Sequence, residues 1–434
     1  MERMDPLQEI VVGSADNACF EPTEPGSRPA IRDAPGTPFP TGPKSQEAIE
    51  RANEELAGLT ALLESQGITV RRPEQHDFSA PVRTPGFEVE NQYCAVCPRD
   101  VMITMGNEII EATMSRRARY FEYEPYRKLV YEYWNADPRV EWTTAPKPSM
   151  RDGMYREEFW EWPLEQRHAR MHSFEFCVGQ DEVVFDAADM SRLGRDILVQ
   201  ESMTTNRAGI RWLRRHLEPR GFRVHTVHFP LDFFPSHIDC TFVPLRPGLV
   251  LTNPERPLRE GEEKMFLAND WELVDAPQPV LGNDEMPKYC QSSKWLSMNV
   301  LSMSPTKVIC EEREKPLQDL LAKLDFEVFT VPFRHVFEYG GSLHCATWDV
   351  RREGTCEDYF PASATSPWSD PRLEHDLEHE ARKTGCPAAP GSLHSPRTAR
   401  HHRMRARTVT YEGSRPCVTT PLVPLLSFSR HSTR

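Results

Sequence analysis

The sequence predicts an α/β chain made of five repeated modules closed into a ring, each running strand, strand, helix, strand. Three observations predict it. One pattern recurs five times: an amphipathic helix stops at a polar or glycine break, and a short Val- and aromatic-rich strand follows, ending at proline. The stretches are "LTALLESQGITVRRP", "YRKLVYEYWNADPRVEWTTAP", "IRWLRRHLEPRGFRVHTVHFP", "KMFLANDWELVDAP" and "LQDLLAKLDFEVFTVP". In each, apolar residues keep helical spacing and then change to strand character. Between them lie pairs of apolar runs joined by a tight turn, "VMITMGNEIIEA", "CTFVPLRPGLVLTNP" and "VLSMSPTKVICEE", with "LQEIVVG" as half of such a pair. One such unit cannot bury its own apolar face, whereas a closed ring of them can. The competing arrangement is an ordinary α/β domain whose helices each precede a strand.

The remaining segments fall around these modules. The Pro/Gly-rich stretch 21–43 reads as a surface loop leading into the first helix. From Ala362 onward no period is sustained, and Pro, His, Arg and Ser mix in a way that cannot bury a core. Residues 1–361 are therefore expected to fold, and residues 362–434 to form a disordered basic extension. That extension holds eleven Lys/Arg against six Asp/Glu.

The whole chain carries a net charge of -13, which argues against a nucleic-acid surface and suits a small cationic substrate. Mean hydropathy is -0.59, and no apolar run is long enough for a bilayer. Eleven cysteines without a stapling pattern point to free thiols in a reducing compartment. The start, "MERMDPLQEIVVG", lacks a signal-peptide core and an Arg/Ser-rich leader, so a cytoplasmic location is expected, or an organellar one if a leader is missing.

Candidate chemistry begins at "SLHCATWD", where Cys345 reads as a packing residue, a metal ligand or a nucleophile. If "LHCATW" is a strand, His344 points away from Cys345 and its base must come from elsewhere. "SHIDCTF" offers His237 and Asp239 two apart, on one face of a strand, as an acid–base pair or a satisfied strand pair. In "FDAADMSRLGRDILVQ", Asp186 suits a strand end facing a cavity, or a cap; Asp189 reads as a helix or turn cap. Asp100 opens a strand after Pro98. Arg256, Ser292 and Ser293 offer a cation and two hydroxyls on loops. "CAVC", Cys94 and Cys97, lacks the second pair that a structural zinc needs and is taken as packing thiols. The six tail histidines lack ligand spacing, and no metal and no cofactor is assigned.

Taken together, "DPLQEIVVG", "PRDVMITMGNEIIEA", "SRRARYFEYEPYRKLVYEY", "TTAPKPSM", "FDAADMSRLGRDI", "SHIDCTF", "SSKWLSMNVL" and "GGSLHCATWDVRREGTCEDYF" resemble the amidinotransferases typified by arginine:glycine amidinotransferase. The resemblance runs in order from about Asp5 to Phe360. "FEVENQYCAVCPRD" and "FFPSHIDC" are most similar to the amidinotransferases that open cylindrospermopsin-type toxin biosynthesis. The resemblance implies a five-fold pseudo-symmetric α/β propeller of ββαβ modules. It implies Cys345 as nucleophile, His237 as catalytic histidine and Asp186 as its carboxylate. It also implies Asp100 and Asp239 as guanidinium ligands, and Arg256, Ser292 and Ser293 as anchors for the amino-acid end of arginine. Phe234 and Ser236 stand where vertebrate-type glycine amidinotransferases carry Asn and Met, which marks them as the acceptor pocket. The implied substrates are L-arginine and a small amine, glycine first; the implied assembly is a homodimer, with no nucleic-acid or membrane partner.

Overall fold

The computed structural model describes residues 4–31, 34, 36–230 and 237–361. The expected extension 362–434 and the acceptor-pocket residues Phe234 and Ser236 lie outside the described residues. Among the described residues, five three-stranded sheets and one short hairpin form. Every three-stranded sheet has one design: two antiparallel strands, a helix, and a third strand parallel to the middle one.

The second sheet follows the tight turns read from sequence. Met102–Met105 and Glu108–Glu111 pair antiparallel, helix Arg127–Ala136 crosses back, and Glu141–Thr144 joins in parallel. Three others repeat the order. Met190–Leu193, Asp196–Gln200, helix Arg207–Leu217 and Arg223–Val227 form the third. Phe242–Arg246, Leu249–Thr252, the short helix Glu263–Leu267 and Glu272–Asp275 form the fourth. Leu301–Ser304, Lys307–Glu311, helix Lys315–Lys323 and Glu327–Val331 form the fifth. The first sheet takes its outer strand from far along the chain. Thr347–Arg352 pairs antiparallel with Leu7–Val12, which pairs in parallel with Thr69–Arg71 after helix Gln46–Ser65. The half-pair at "LQEIVVG" thus finds its other half more than three hundred residues later.

Two of the helix starts are fixed by side-chain caps. Ser45 accepts from Ala48 N at 3.2 Å, and Asn206 accepts from Gly209 N at 2.8 Å. Helix Gln46–Ser65 buries Ile49, Ala52, Leu56, Leu59 and Leu63, the stripe its spacing predicts. That stripe shares one apolar cluster with Leu301, Ile309 and Val331 of the fifth sheet. Other clusters join the first, second and third sheets, the third and fourth, and the fourth and fifth. Each sheet therefore buries its faces against its neighbours, as modules too small to stand alone must.

Trp348 locks the first sheet to the second. Its side chain is fully buried, its Nε1–H donates to Thr104 Oγ1 at 3.0 Å, and Tyr133 meets its ring edge-on. Trp348→Ala leaves a large cavity and an unpaired hydroxyl, and is expected to lower unfolding free energy by about 3–5 kcal/mol. Denaturant titration measures this; a loss near zero would show that the strand Thr347–Arg352 is not held by its tryptophan.

Candidate active site

Three turns just ahead of strands deliver the chemistry. Asp100 lies in the single helical turn Pro98–Val101, not in the strand, which starts at Met102. Asp186 precedes the 3-10 turn Ala187–Asp189 ahead of Met190–Leu193; it sits at the cap position, but its side chain makes no capping bond. His237 precedes the turn Ile238–Cys240 ahead of Phe242–Arg246. A tight turn before an inner strand places polar side chains at the sheet end, where the ladder cannot use them. The expected strand register for "SHIDCTF" is therefore corrected. His237 does not pair with Asp239 across a strand face. Its Nε2 donates to Asp186 Oδ2 at 3.2 Å, and its Nδ1 lies 3.6 Å from Asp100 Oδ1.

"LHCATW" is corrected likewise. Residues 343–346 form turns, and the strand begins at Thr347. His344 and Cys345 consequently turn to the same carboxylate. His344 Nδ1 is 2.7 Å from Asp239 Oδ2, and Cys345 Sγ is 3.3 Å from that oxygen. Gly340 supplies the left-handed turn that leads in, at φ +80°. At Gly341 a Cβ would fall 2.5 Å from Cys97 Sγ and 2.8 Å from Cys345 Cβ, so no larger residue fits. Cys97 and Cys94 are buried free thiols.

Asp100, His237, Cys345 and Ser292 line one cleft, with Cys240 beside them. Arg256 and Ser293 do not line it. The Arg256 guanidinium is buried and donates to Pro230 O at 2.8 Å, to Gln200 Oε1 at 3.1 Å and to the Thr241 hydroxyl. Ser293 is fully buried and caps the turn Lys294–Met298 by accepting from Trp295 N. Asp189, read as a cap, instead accepts from Gln200, Ser202 and Thr204.

Sequence reading missed two organising residues. Arg119, 5% exposed, reaches Asp100 at 3.0 Å and Asp186 at 3.8 Å, and is held by Glu122 at 2.8 Å. Opposite charges three apart among the aromatics of "SRRARYFEYE" were the available signal. Asn299 is fully buried and joins the two reactive turns. Its Oδ1 accepts from His344 N and Cys345 N at 2.9 and 3.0 Å, and its Nδ2 donates to Asp239 O at 3.2 Å. An amide side chain inside the largely apolar run "LSMNVL" was the clue there. The stretch 21–43 is also more than a surface loop, because Glu21 and Gly26 line the cleft and Glu24 is buried.

The cluster is electrostatically strained in a useful direction. Burial works against a charged imidazole, but the Asp100 charge, the hydrogen bond to Asp186 and the Asp189 charge outweigh it and raise His237 to about 10. A hydrogen bond with Cys240, burial and the Asp239 charge together push the Cys345 thiol well up. Asp100 Oδ1 is buried and, among the described residues, accepts no hydrogen bond. A planar cation donating N–H bonds would satisfy that oxygen and relieve the thiol in one step.

Removing the Asp186 charge is expected to drop His237 from about 10 toward the neutral range, read by NMR titration of Asp186→Asn. The stability sign follows. The folded pKa lies above the ordinary 6.5, so the contribution is complete below about 6.5 and lost as pH rises through about 10. Wild-type unfolding free energy should fall across that window, and the Asp186→Asn curve should be flatter. Identical curves would remove Asp186 as the partner.

No protein-family model matches the chain. Individual relatives do. It is 42% identical over 364 residues to the mitochondrial glycine amidinotransferase of Danio rerio, covering 82% of this chain and 83% of that one. It is 38% identical to the L-arginine:L-lysine amidinotransferase of Pseudomonas savastanoi pv. phaseolicola, over 82% and 94% of the two chains. Among solved structures, SxtG, an amidinotransferase from Microseira wollei in the saxitoxin biosynthetic pathway, superposes with a TM-score of 0.72 at 37% identity, over 83% of this chain and 98% of its own. The inosamine-phosphate amidinotransferase StrB1 of Streptomyces griseus gives 0.72 at 32%, with the same coverage. With its thiol, imidazole and carboxylates gathered on one cleft, and with relatives this similar over four-fifths of its length, the chain belongs to the amidinotransferases.

Proposed function

We propose that this enzyme moves the amidino group of L-arginine, through an amidino-thioether on Cys345, to a small primary amine, with glycine the first choice. The products are then L-ornithine and guanidinoacetate. The observation that carries the reading is the single cleft shared by the Cys345 thiol, the His237 imidazole and the unsatisfied Asp100 oxygen. We further propose that the five sheets stand around one axis as a five-fold propeller, a reading supported by the cyclic order in which neighbouring sheets share apolar clusters.

The chemistry runs as follows. A guanidinium is planar and resonance-stabilised, so its central carbon is a poor electrophile. Asp100 and Asp239 grip it in plane and hold that carbon over the sulfur. The bound cation reverses the local field, the thiol proton is lost to solvent, and the thiolate attacks. Protonated His237 gives its proton to the departing nitrogen, and ornithine leaves. Asp186 orients the imidazole and stabilises its cation. The incoming amine, its ammonium proton lost to solvent, attacks the amidino carbon; neutral His237 takes the proton that nitrogen sheds, and the thiolate is released. The raised pKa of His237 in the unliganded cleft keeps its proton in place for the first transfer. Ser292 at the cleft, with Ser293 and Arg256 behind it, are proposed for the amino-acid end of arginine.

Cys345→Ser and Cys345→Ala should lose turnover by several orders of magnitude while remaining folded. Intact-mass spectrometry of wild type with arginine alone should show an amidino adduct that both variants lack. An active Cys345→Ala would remove the nucleophile assignment. Sustained citrulline release without an acceptor would replace transfer by hydrolysis.

Acceptor choice is proposed to rest on Phe234 and Ser236. Relatives named for glycine and for lysine show that the family's amines differ. A panel of amines with labelled arginine is expected to give guanidinoacetate as the main product, and a bulky amine preferred over glycine would overturn that choice. Phe234→Asn with Ser236→Met should alter acceptor selectivity more than amidino-Cys345 formation. A cytoplasmic homodimer completes the proposal, checked by sedimentation and by fractionation of the source cells. No helix among the described residues is long and apolar enough to cross a membrane.

A further inference from the structure

The mechanism gives Cys240 no step, yet its thiol is buried at 2% exposure and lines the same cleft as Cys345. The two thiols flank one carboxylate. Cys240 Sγ is 3.7 Å from Asp239 Oδ1, and Cys345 Sγ is 3.3 Å from Asp239 Oδ2. One ligand atom from each of Asp239, Cys240 and Cys345 lies within 4.8 Å of the other two.

That spacing has a coordination meaning. With metal–sulfur bonds near 2.3 Å and a metal–oxygen bond near 2.1 Å, a tetrahedral ion sets sulfur-to-oxygen edges of about 3.6 Å and a sulfur-to-sulfur edge of about 3.8 Å. Each sulfur lies near the first value from one of the two Asp239 oxygens, 3.7 Å from Oδ1 for Cys240 and 3.3 Å from Oδ2 for Cys345, and one of these oxygens is within 4.8 Å of both sulfurs. The sulfurs need approach by at most about 1 Å to meet the second. Two thiolates and a carboxylate select a thiophilic ion over magnesium or calcium. His344 donates its Nδ1–H to the same carboxylate at 2.7 Å, the outer partner that orients a ligating group. Asn299 fixes the backbone of both turns, so the three ligands are held before any ion arrives.

We propose that Asp239, Cys240 and Cys345 form a binding site for a thiophilic divalent cation such as Zn²⁺ or Cd²⁺, entered from the cleft, and that its occupancy switches the enzyme off by capping the nucleophile. The fourth position faces the cleft and takes water or a solvent anion. Binding exchanges two S–H bonds for two metal–sulfur bonds and releases two protons to solvent; nothing is oxidised or reduced. Arginine and the ion both need Asp239, so each excludes the other. The inhibitory consequence rests on Cys345 being the nucleophile of the proposed transfer; the binding itself does not.

The test uses the metal-free full chain, titrated with Co²⁺ and with Cd²⁺ and followed by thiolate-to-metal charge-transfer absorption, with Zn²⁺ as competitor. Wild type, Cys240→Ala, Cys345→Ala and Asp239→Asn are compared, each checked for fold by circular dichroism. Cys345→Ala subtracts binding at the remaining cysteines. One equivalent should bind to wild type with the intensity of two thiolates. Cys240→Ala should weaken it by at least about a hundredfold, since losing a ligand exceeds the effect of losing an outer partner. If Cys240→Ala does not fold, the isosteric Cys240→Ser replaces it. The Zn²⁺ concentration that halves the Cys240 variant's own metal-free rate should rise by the same factor relative to wild type. No charge-transfer band in folded wild type overturns the site, and so does unchanged affinity in the Cys240 variant, which would reduce the effect to one capped thiol. A band without any amidino transfer keeps the metal site and removes the proposed function; transfer without a band does the reverse.

Discussion

A single buried guanidinium makes the cleft possible. Asp100, Asp186, Asp189 and Asp239 are each at most 5% exposed and stand at the ends of neighbouring sheets. Burial alone pushes Asp100 and Asp189 upward, toward the neutral form that could not bind a cation. The His237 charge opposes this at both, and at Asp100 it is joined by Arg119, which bridges Asp100 and Asp186 while Glu122 fixes the arginine in place. An isolated buried carboxylate takes a proton, whereas one beside a fixed cation stays ionised. Breaking such a network costs more than its formation yields, because the surviving charges keep their desolvation penalty.

In the proposed transfer His237 works in both directions. The surrounding acids, Asp100 foremost, outweigh burial and draw the imidazole toward its cation, which in that proposal readies its proton for a leaving amine. Asp186 is the shared element, bonded to His237 and facing Arg119. The thiol faces acids too, with the opposite consequence. A hydrogen bond with Cys240, burial and the Asp239 charge hold the Cys345 thiol toward its protonated form; under the proposed function a bound cation would reverse that push. A resting thiol of this kind reacts little with stray electrophiles.

The fold was legible because its signal is local. Five helix-to-strand endings each lie within some twenty residues, and the structure puts a helix and a parallel strand at every one. The outer strand of the first sheet was not, since nothing near "LQEIVVG" points to Thr347–Arg352. The site divided along the same line. Residue types at Cys345, His237, Asp186 and Asp100 marked candidates, and the structure gathers them. The pairings drawn from strand alternation were misread because both motifs are turns, whereas the pairing of His237 with Asp186 that the resemblance implied is present. In "SHIDC" the turn sends His237 to Asp186 and Asp239 to Cys345; in "SLHC" it brings His344 and Cys345 to one oxygen. Arg119 and Asn299 act through contacts between distant segments, which composition and period do not encode.

The proposed transfer, in place of hydrolysis, requires that water stay out while the thiol carries the amidino group. We propose that the segment from Glu21 to Ile31, which lines the cleft with Glu21 and Gly26, meets that requirement. Glu24 accepts from Arg117 N at 2.6 Å, Pro25 O accepts from Trp160 Nε1 at 2.8 Å, and Ala30 exchanges two hydrogen bonds with Gln291. Gly26 faces the cleft, where an added Cβ would press on Ser115 O and the Tyr155 ring at 3.0 Å. The strap is thus tied at both ends to the walls it covers, while its apex has no side chain to admit or exclude. Under the proposed transfer such a strap would shield the sulfur from the competing nucleophile present at highest concentration, and the Pro/Gly content that marks this stretch as a loop would serve close backbone packing beside the cleft.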